Sequence, residues 1–207
     1  MAKQIAGVSE RILSCAKEEF LDKGYTDASL RAIAAAADTS TNSIYVRFGD
    51  KEGLFSAIVE PVLSEMAERF LKIQETFHHM DRAAQAAHMA EYADGGTAEL
   101  VDYVYDHFDE FRLLLDASYG TRFHNFVDQL VRIEVEYTYK YMETIDCPTR
   151  FDDAMTQMPL HIVTTSRFES IFEVVRHGLS RQEAAEYIDL LNRYHRTGFF
   201  AIFGSEK

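Results

Sequence analysis

The sequence predicts an all-α protein with a small N-terminal three-helix, helix-turn-helix domain ahead of a larger helical one. Three observations predict it. Apolar residues recur at helical spacing, as in Ile12, Ala16 and Phe20; Leu54, Ile58 and Leu63; and Phe168, Ile171, Phe172 and Val175. Prolines stand only at positions 61, 148 and 159, and no long stretch alternates as a strand would. Between Ser29 and Lys51 a helix of small residues, a tight turn and a short polar helix follow one another.

The first helix is expected over about Ile5 to Lys23, ending at Gly24, a residue suited to a positive-φ helix terminus. Ser29 is placed to cap the helix that begins at Leu30, and a second short helix runs from Ser40 to Phe48, closed by Gly49. Asp50 caps a fourth helix that starts at Lys51 and continues to about Thr76, with an interruption or kink at Glu60-Pro61. Further breaks are expected at Asp94-Gly95-Gly96, Asp146-Cys147-Pro148 and His177-Gly178. The last two helices are Leu160 to His177 and Arg181 to Phe203, the second opened by a capping box of Ser180 and Glu183. The domain boundary is set at residues 50 and 51, giving domains 1–50 and 51–207.

With 207 residues, 47% hydrophobic and 27% charged, the composition is that of a folded soluble protein. No apolar run reaches the roughly 18 residues of a bilayer span, and the N-terminus lacks a signal-peptide pattern. Two distant cysteines without a CxxC pair suit a reduced, cytoplasmic protein. The net charge of −13 is unevenly spread. Lys/Arg and Asp/Glu balance from Met1 to Lys51, so the whole excess of acid follows Lys51. The total therefore does not argue against nucleic acid at the N-terminal segment, and an acidic remainder leaves DNA one productive face to approach.

Within Ser29 to Lys51, Ala34 to Ala37 let a second helix cross closely, and Asp38-Thr39-Ser40 is turn and cap chemistry. The short polar side chains of Ser40, Thr41, Asn42 and Ser43 suit base edges or phosphates in a major groove. Ile44 and Phe48 would hold that helix to the core. Tyr45 and Lys51 are candidate phosphate contacts, as are Ser29, Arg31 and Arg47 near the same surface. The competing readings are plain: Ser29 and Ser40 as caps only, Arg31 and Arg47 as solvated surface.

The run Ile12 to Phe55 resembles the N-terminal domain of the TetR family of bacterial transcriptional regulators. Carrying that resemblance are Phe20, Gly24 and Tyr25, the helix Leu30 to Ala37, Ser40, Ile44-Tyr45, Phe48, and Lys51-Glu52 with Leu54-Phe55. Asp38 and Asn42 stand where the family often has Gly; both residues tolerate such sites, and the departures bear on the operator rather than on the fold.

The resemblance implies double-stranded operator DNA as partner, a homodimer, and a C-terminal domain that takes a small, largely apolar effector. It makes repression relieved by that effector the default function. It also implies that the last two helices pair with their copies, which points to Phe168, Phe172, Val175, Leu191, Tyr194 and Phe199 as the dimer interface. For the effector pocket the aromatic middle offers Tyr103, His107, Phe108, Phe111, Phe123 and Tyr137, with His161 and Arg167 as polar fixtures. An aromatic core is the other reading of the same residues.

No cofactor and no metal are expected. His78-His79, with Asp81, His88 and Glu91, lacks the spacing of a ligand set and reads as acidic surface. GxSxG, HExxH, CxxC and glycine-rich phosphate loops are missing, so an enzyme is not expected. The alternative function is a helical dimeric interaction module of the same fold without sequence-specific DNA binding.

Overall fold

A computed structural model describes residues 2–147 and 153–203; Pro148, part of one expected break, lies outside them. The helices are α1 (Ala2–Asp27), α2 (Leu30–Ala36), α3 (Thr41–Phe48), α4 (Lys51–His78), α5 (Arg82–Asp106), α6 (Phe108–Arg112), α7 (Val127–Thr144), α8 (Asp153–Arg176) and α9 (Arg181–Phe203). A π turn, Leu113–Ala117, directly follows α6. Among the described residues there is no strand.

The chain divides into two compact units, and the division differs from the expected one at residue 50. The first comprises Met1–Glu65 and His107–Phe126; the second comprises Met66–Asp106 and Val127–Lys207. The reason is hydrophobic. Phe20 of α1 and Phe55 of α4 are fully buried, and the 107–126 segment contributes to their cover. Phe123 lies 6.1 Å from Phe55, while Phe111 and Leu113 are fully buried. Lys17 pairs with Glu110 at 2.5 Å, and Arg122 with Glu60 at 2.7 Å.

In this first unit the Phe-x-x-x-Gly-Tyr motif has a clear physical role. Gly24 adopts φ 72° and ψ 168° inside α1, a backbone conformation that side chains resist. The turn swings Tyr25 back onto the core, where it stacks on Phe20 at 6.1 Å and meets Phe55 edge-on at 5.5 Å. Gly53 is required sterically, because any β-carbon there would collide with the Phe48 carbonyl.

The second unit is built from the end of α4 with α5, α7, α8 and α9. Phe70, Leu100, Leu130, Phe168, Phe172 and Ile188 form its interior, and the Phe70 and Phe168 rings meet edge-to-face at 5.6 Å. Two expectations change here. The Asp94-Gly95-Gly96 break does not occur, since α5 runs through it. Gly96 permits a close approach instead: a β-carbon would stand 3.0 Å from Cγ2 of Ile73 on α4. Likewise α4 passes Pro61 unbroken, with the proline on an exposed face.

Candidate functional site

The helix-turn-helix is assembled by capping. Ser29 accepts from the Ala32 amide at 3.4 Å and so opens α2. The α2 helix ends at Ala37, and Asp38 turns the chain with φ 50°. Ser40 then accepts from the Ser43 amide at 3.2 Å and opens α3. Asp50 accepts from Gly53 at 2.7 Å and opens α4. Ile33, Ala34, Ala37 and Ile44 are buried, whereas Ala35 and Ala36 are exposed, so two of the four alanines belong to the packed side of α2.

The side of α3 left to solvent carries Asn42, Tyr45 and Val46, at i, i+3 and i+4. Tyr45 is 52% and Val46 75% exposed, which makes this face accessible to a groove. Ser40 is exposed, Thr41 and Ser43 are half-buried, and Arg31 is exposed on α2. Val46 was missed in the sequence because it is apolar. Its place two residues after the core residue Ile44 was the available signal, since a helix cannot point both inward.

The two nearest cations are turned toward their own backbone. Arg47 donates through Nη1 to the Ser43 carbonyl at 3.1 Å and to Ser43 Oγ at 2.5 Å, while its Nε is buried without a partner. Lys51 donates to the carbonyls of Thr26 at 2.9 Å and Ala28 at 3.1 Å, and lies over the Tyr25 ring at 4.8 Å. Its ammonium therefore caps the end of α1, with one hydrogen left for another acceptor. Glu19 joins this arrangement by accepting from the Ser29 amide at 3.0 Å. The bonds from Lys23 and then from Ser29 hold its carboxyl below the usual carboxylate range.

The second unit holds a partly open cavity of about 160 Å³. Its walls come from α4, α5, α7, α8 and α9, with Phe70, Phe77, Tyr92, Tyr141, Phe168 and Phe199 among the apolar and aromatic residues. Several of the polar groups in the lining are tied together. Arg167 donates to Glu134 at 3.0 Å and to Thr97 Oγ1 at 2.6 Å. Gln74 donates to Glu134 at 2.7 Å, and Arg196 to Asp94 at 2.6 Å. Burial, with the Arg167 charge second, keeps the His195 imidazole below its usual range.

Of the eight residues expected to line a pocket, the cavity has Tyr137 and Arg167. The others lie elsewhere. His107, Phe108, Phe111 and Phe123 belong to the first unit, where Phe111 and Phe123 are core. Tyr103 is buried with the Arg69 guanidinium over its ring at 4.8 Å, and His161 is exposed.

The expected interface is corrected in the same way. Phe168, Phe172 and Val175 are 1%, 0% and 3% exposed, because that face of α8 turns into its own unit and leaves nothing for a partner. Phe199 is half-buried and faces the cavity, and Leu191 is half-buried. Tyr194, at 75% exposure, does face outward. Leu190, one turn before it on α9, is also exposed, by 60%, and on α8 Met158 and Ile162, one turn apart, are exposed by 68% and 58%. Tyr187 ties these two helices together by donating to the Ser170 carbonyl at 3.0 Å.

No helix among the described residues is long and apolar enough to cross a membrane. Within them, no three His, Cys, Asp or Glu side chains are grouped to hold a metal ion. His88 pairs instead with Glu91 at 3.1 Å.

Comparison with known proteins agrees with the local geometry. Residues 12–58 match the family model described as bacterial regulatory proteins, tetR family. The uncharacterised HTH-type transcriptional regulator YvdT of Bacillus subtilis is 35% identical over 69 residues, 33% of this chain and 36% of that protein. The HTH-type transcriptional repressor AcnR of Corynebacterium glutamicum is 37% identical over 59 residues, 28% of this chain and 31% of its own. The match thus spans about a third of the length of these curated relatives. The TetR-family transcriptional regulator PfmR of Thermus thermophilus shares the fold over 88% of this chain and 97% of its own, with a TM-score of 0.58 at 18% identity. The helix-turn-helix geometry and the family model thus agree over residues 12–58, which are similar to the bacterial regulatory proteins of the tetR family, and the chain as a whole shares its fold with PfmR.

Proposed function

We propose that this protein is a DNA-binding transcriptional regulator that acts as a homodimer and represses until a small, largely apolar molecule releases it from its operator. The observation that carries the reading is the exposed face of α3, where Asn42, Tyr45 and Val46 stand on a helix pinned from behind by Ile44. Asn42 is suited to base edges, Val46 to a thymine methyl, and Tyr45 to a phosphate. Ser40, Thr41 and Ser43 at the start of the helix, with Ser29 and Arg31 of α2, supply further positioning contacts. Two-fold pairing would bring two such helices to successive major grooves.

The exposed apolar pairs Met158 and Ile162, and Leu190 and Tyr194, are the surface assigned to the partner copy. The cavity of the second unit is assigned to the effector, which acts by favouring whichever dimer state it binds better. A gel shift with DNA flanking the protein's own coding sequence tests the reading. A specific complex that Asn42→Ala weakens, with less effect on altered sequences, is expected.

A second reading rests on the balanced charge of residues 1–51 and on the inward-turned cations Arg47 and Lys51. In it the chain is a dimeric interaction module of the same fold. Retardation without sequence preference would favour that module over a regulator.

A further inference from the structure

Three properties of the cavity point to a ligand chemistry: its size, its charge balance and an acceptor without a donor. We propose that it selects an uncharged single-ring molecule bearing one hydroxyl donor, a phenol or aryl alcohol, over aromatic acids and amines. The proposal rests on reading this cavity as the effector site.

Size sets the first limit. The cavity measures about 160 Å³, and an apolar cavity of about 150 Å³ is enough to hold benzene. Its aromatic walls, including Phe77, Tyr141 and Phe199, give a ring edge and face contacts.

Charge sets the second. Each lining guanidinium already has a carboxylate: Arg167 has Glu134, and Arg196 has Asp94. A ligand ion would add a charge to pairs that are already balanced, and beside the more buried Arg167–Glu134 pair that added charge would lose its hydration without a counter-ion of its own. Nor does His195 add a charge, since burial keeps its imidazole neutral.

The third limit is Asn192. It is 7% exposed, lines the cavity, and its Oδ1 has no hydrogen-bond partner. Asn192, His195, Arg196 and Phe199 follow at i, i+3, i+4 and i+7, so α9 presents them as one strip. A buried acceptor without a donor is costly, and a ligand hydroxyl that reaches it removes that cost. The carboxamide can turn toward such a donor about its broad terminal torsion.

Calorimetric titration of the full-length protein at neutral pH with four ring compounds tests this. The probes are 4-methylphenol, 4-methylanisole, 4-methylbenzoate and 4-methylbenzylamine. We expect 4-methylphenol to bind about tenfold more tightly than the anisole, which lacks the donor, and the two ions to bind more weakly than either. Asn192→Leu, which replaces the unpaired amide with a side chain of similar size, should remove the phenol preference and leave the anisole within about twofold. The proposal is overturned if an ion binds most tightly, or if the phenol preference survives in Asn192→Leu. The order among the four compounds in the unaltered protein decides the matter even if that variant fails to fold. Should none of them bind while the protein still forms its specific operator complex, the ligand class falls and the regulator stands. Should the order hold while 4-methylphenol leaves the operator complex intact, the ligand class stands and the effector role falls.

Discussion

The outward sides of α3 and of α8 and α9 are both exposed, yet they differ in chemistry. The α3 face is short, and polar groups dominate it: Asn42 and the Tyr45 hydroxyl, with Ser40 at its start and Val46 the one apolar side chain. Such a surface is at ease in water and can bind and release a hydrated polyanion. The outward sides of α8 and α9 carry the exposed pairs Met158 and Ile162, and Leu190 and Tyr194. Apolar pairs of that kind cost free energy while they stay in water, so a lasting protein partner suits them. Under the proposed function the first surface serves exchange and the second permanence.

Substitutions sharpen this contrast, beginning with the interior that supports the second face. Phe172→Ala should destabilise the fold by about 3–5 kcal/mol, the usual cost of deleting a fully buried aromatic. Denaturant unfolding measures it; a folded monomer of unchanged stability would instead place Phe172 at the interface. Ile162→Glu with Leu190→Glu should leave the fold intact but give monomers in sedimentation. Operator affinity should then fall by about a hundredfold, because the two recognition helices lose their linkage. Dimers that persist would move the interface off these helices.

On the polar face the effects are smaller. Asn42→Ala should cost about 1–3 kcal/mol against the preferred operator and much less against altered operators. Lys51→Ala should weaken all sequences alike and lower the salt slope by about one. Unchanged affinity and slope would confine Lys51 to its role at the end of α1.

The smallest expected effect concerns acidity. The imidazole of His195 titrates lower in the folded protein than in the unfolded chain, so unfolding takes up a proton in acid. Stability should therefore decline as pH drops below about 6.5, the unfolded value, and level off beneath the folded one. His195→Gln should flatten that part of the thermal-unfolding profile relative to the unaltered protein. An identical profile in the variant would assign the decline to other groups.

How legible each surface was in the sequence follows from where its determinants lie. Ser29, Ser40 and Asp50 act on amides three residues away, and Gly24 acts on its own backbone, so a linear reading finds them. The cavity draws on five helices, and residues as distant as Phe70 and Phe199 meet only in the folded unit. Aromatic content alone could not show that Phe111 and Phe123 complete the first unit's core rather than line that cavity. Nor could periodicity orient α8. Phe168, Ile171, Phe172 and Val175 repeat as a helical face should, but α8 carries apolar residues on its other side as well. Met158 and Ile162 there are the ones left exposed.

Gly96 has a further consequence. Gly96 and Ile73 both line the cavity, and the glycine is what lets that isoleucine come so close. One methyl at this position would push the two helices or the Ile73 side chain and alter the chamber between them. A single small residue on the α4–α5 seam thus sets the width of the chamber, independently of the α9 strip proposed to read a ligand's chemistry.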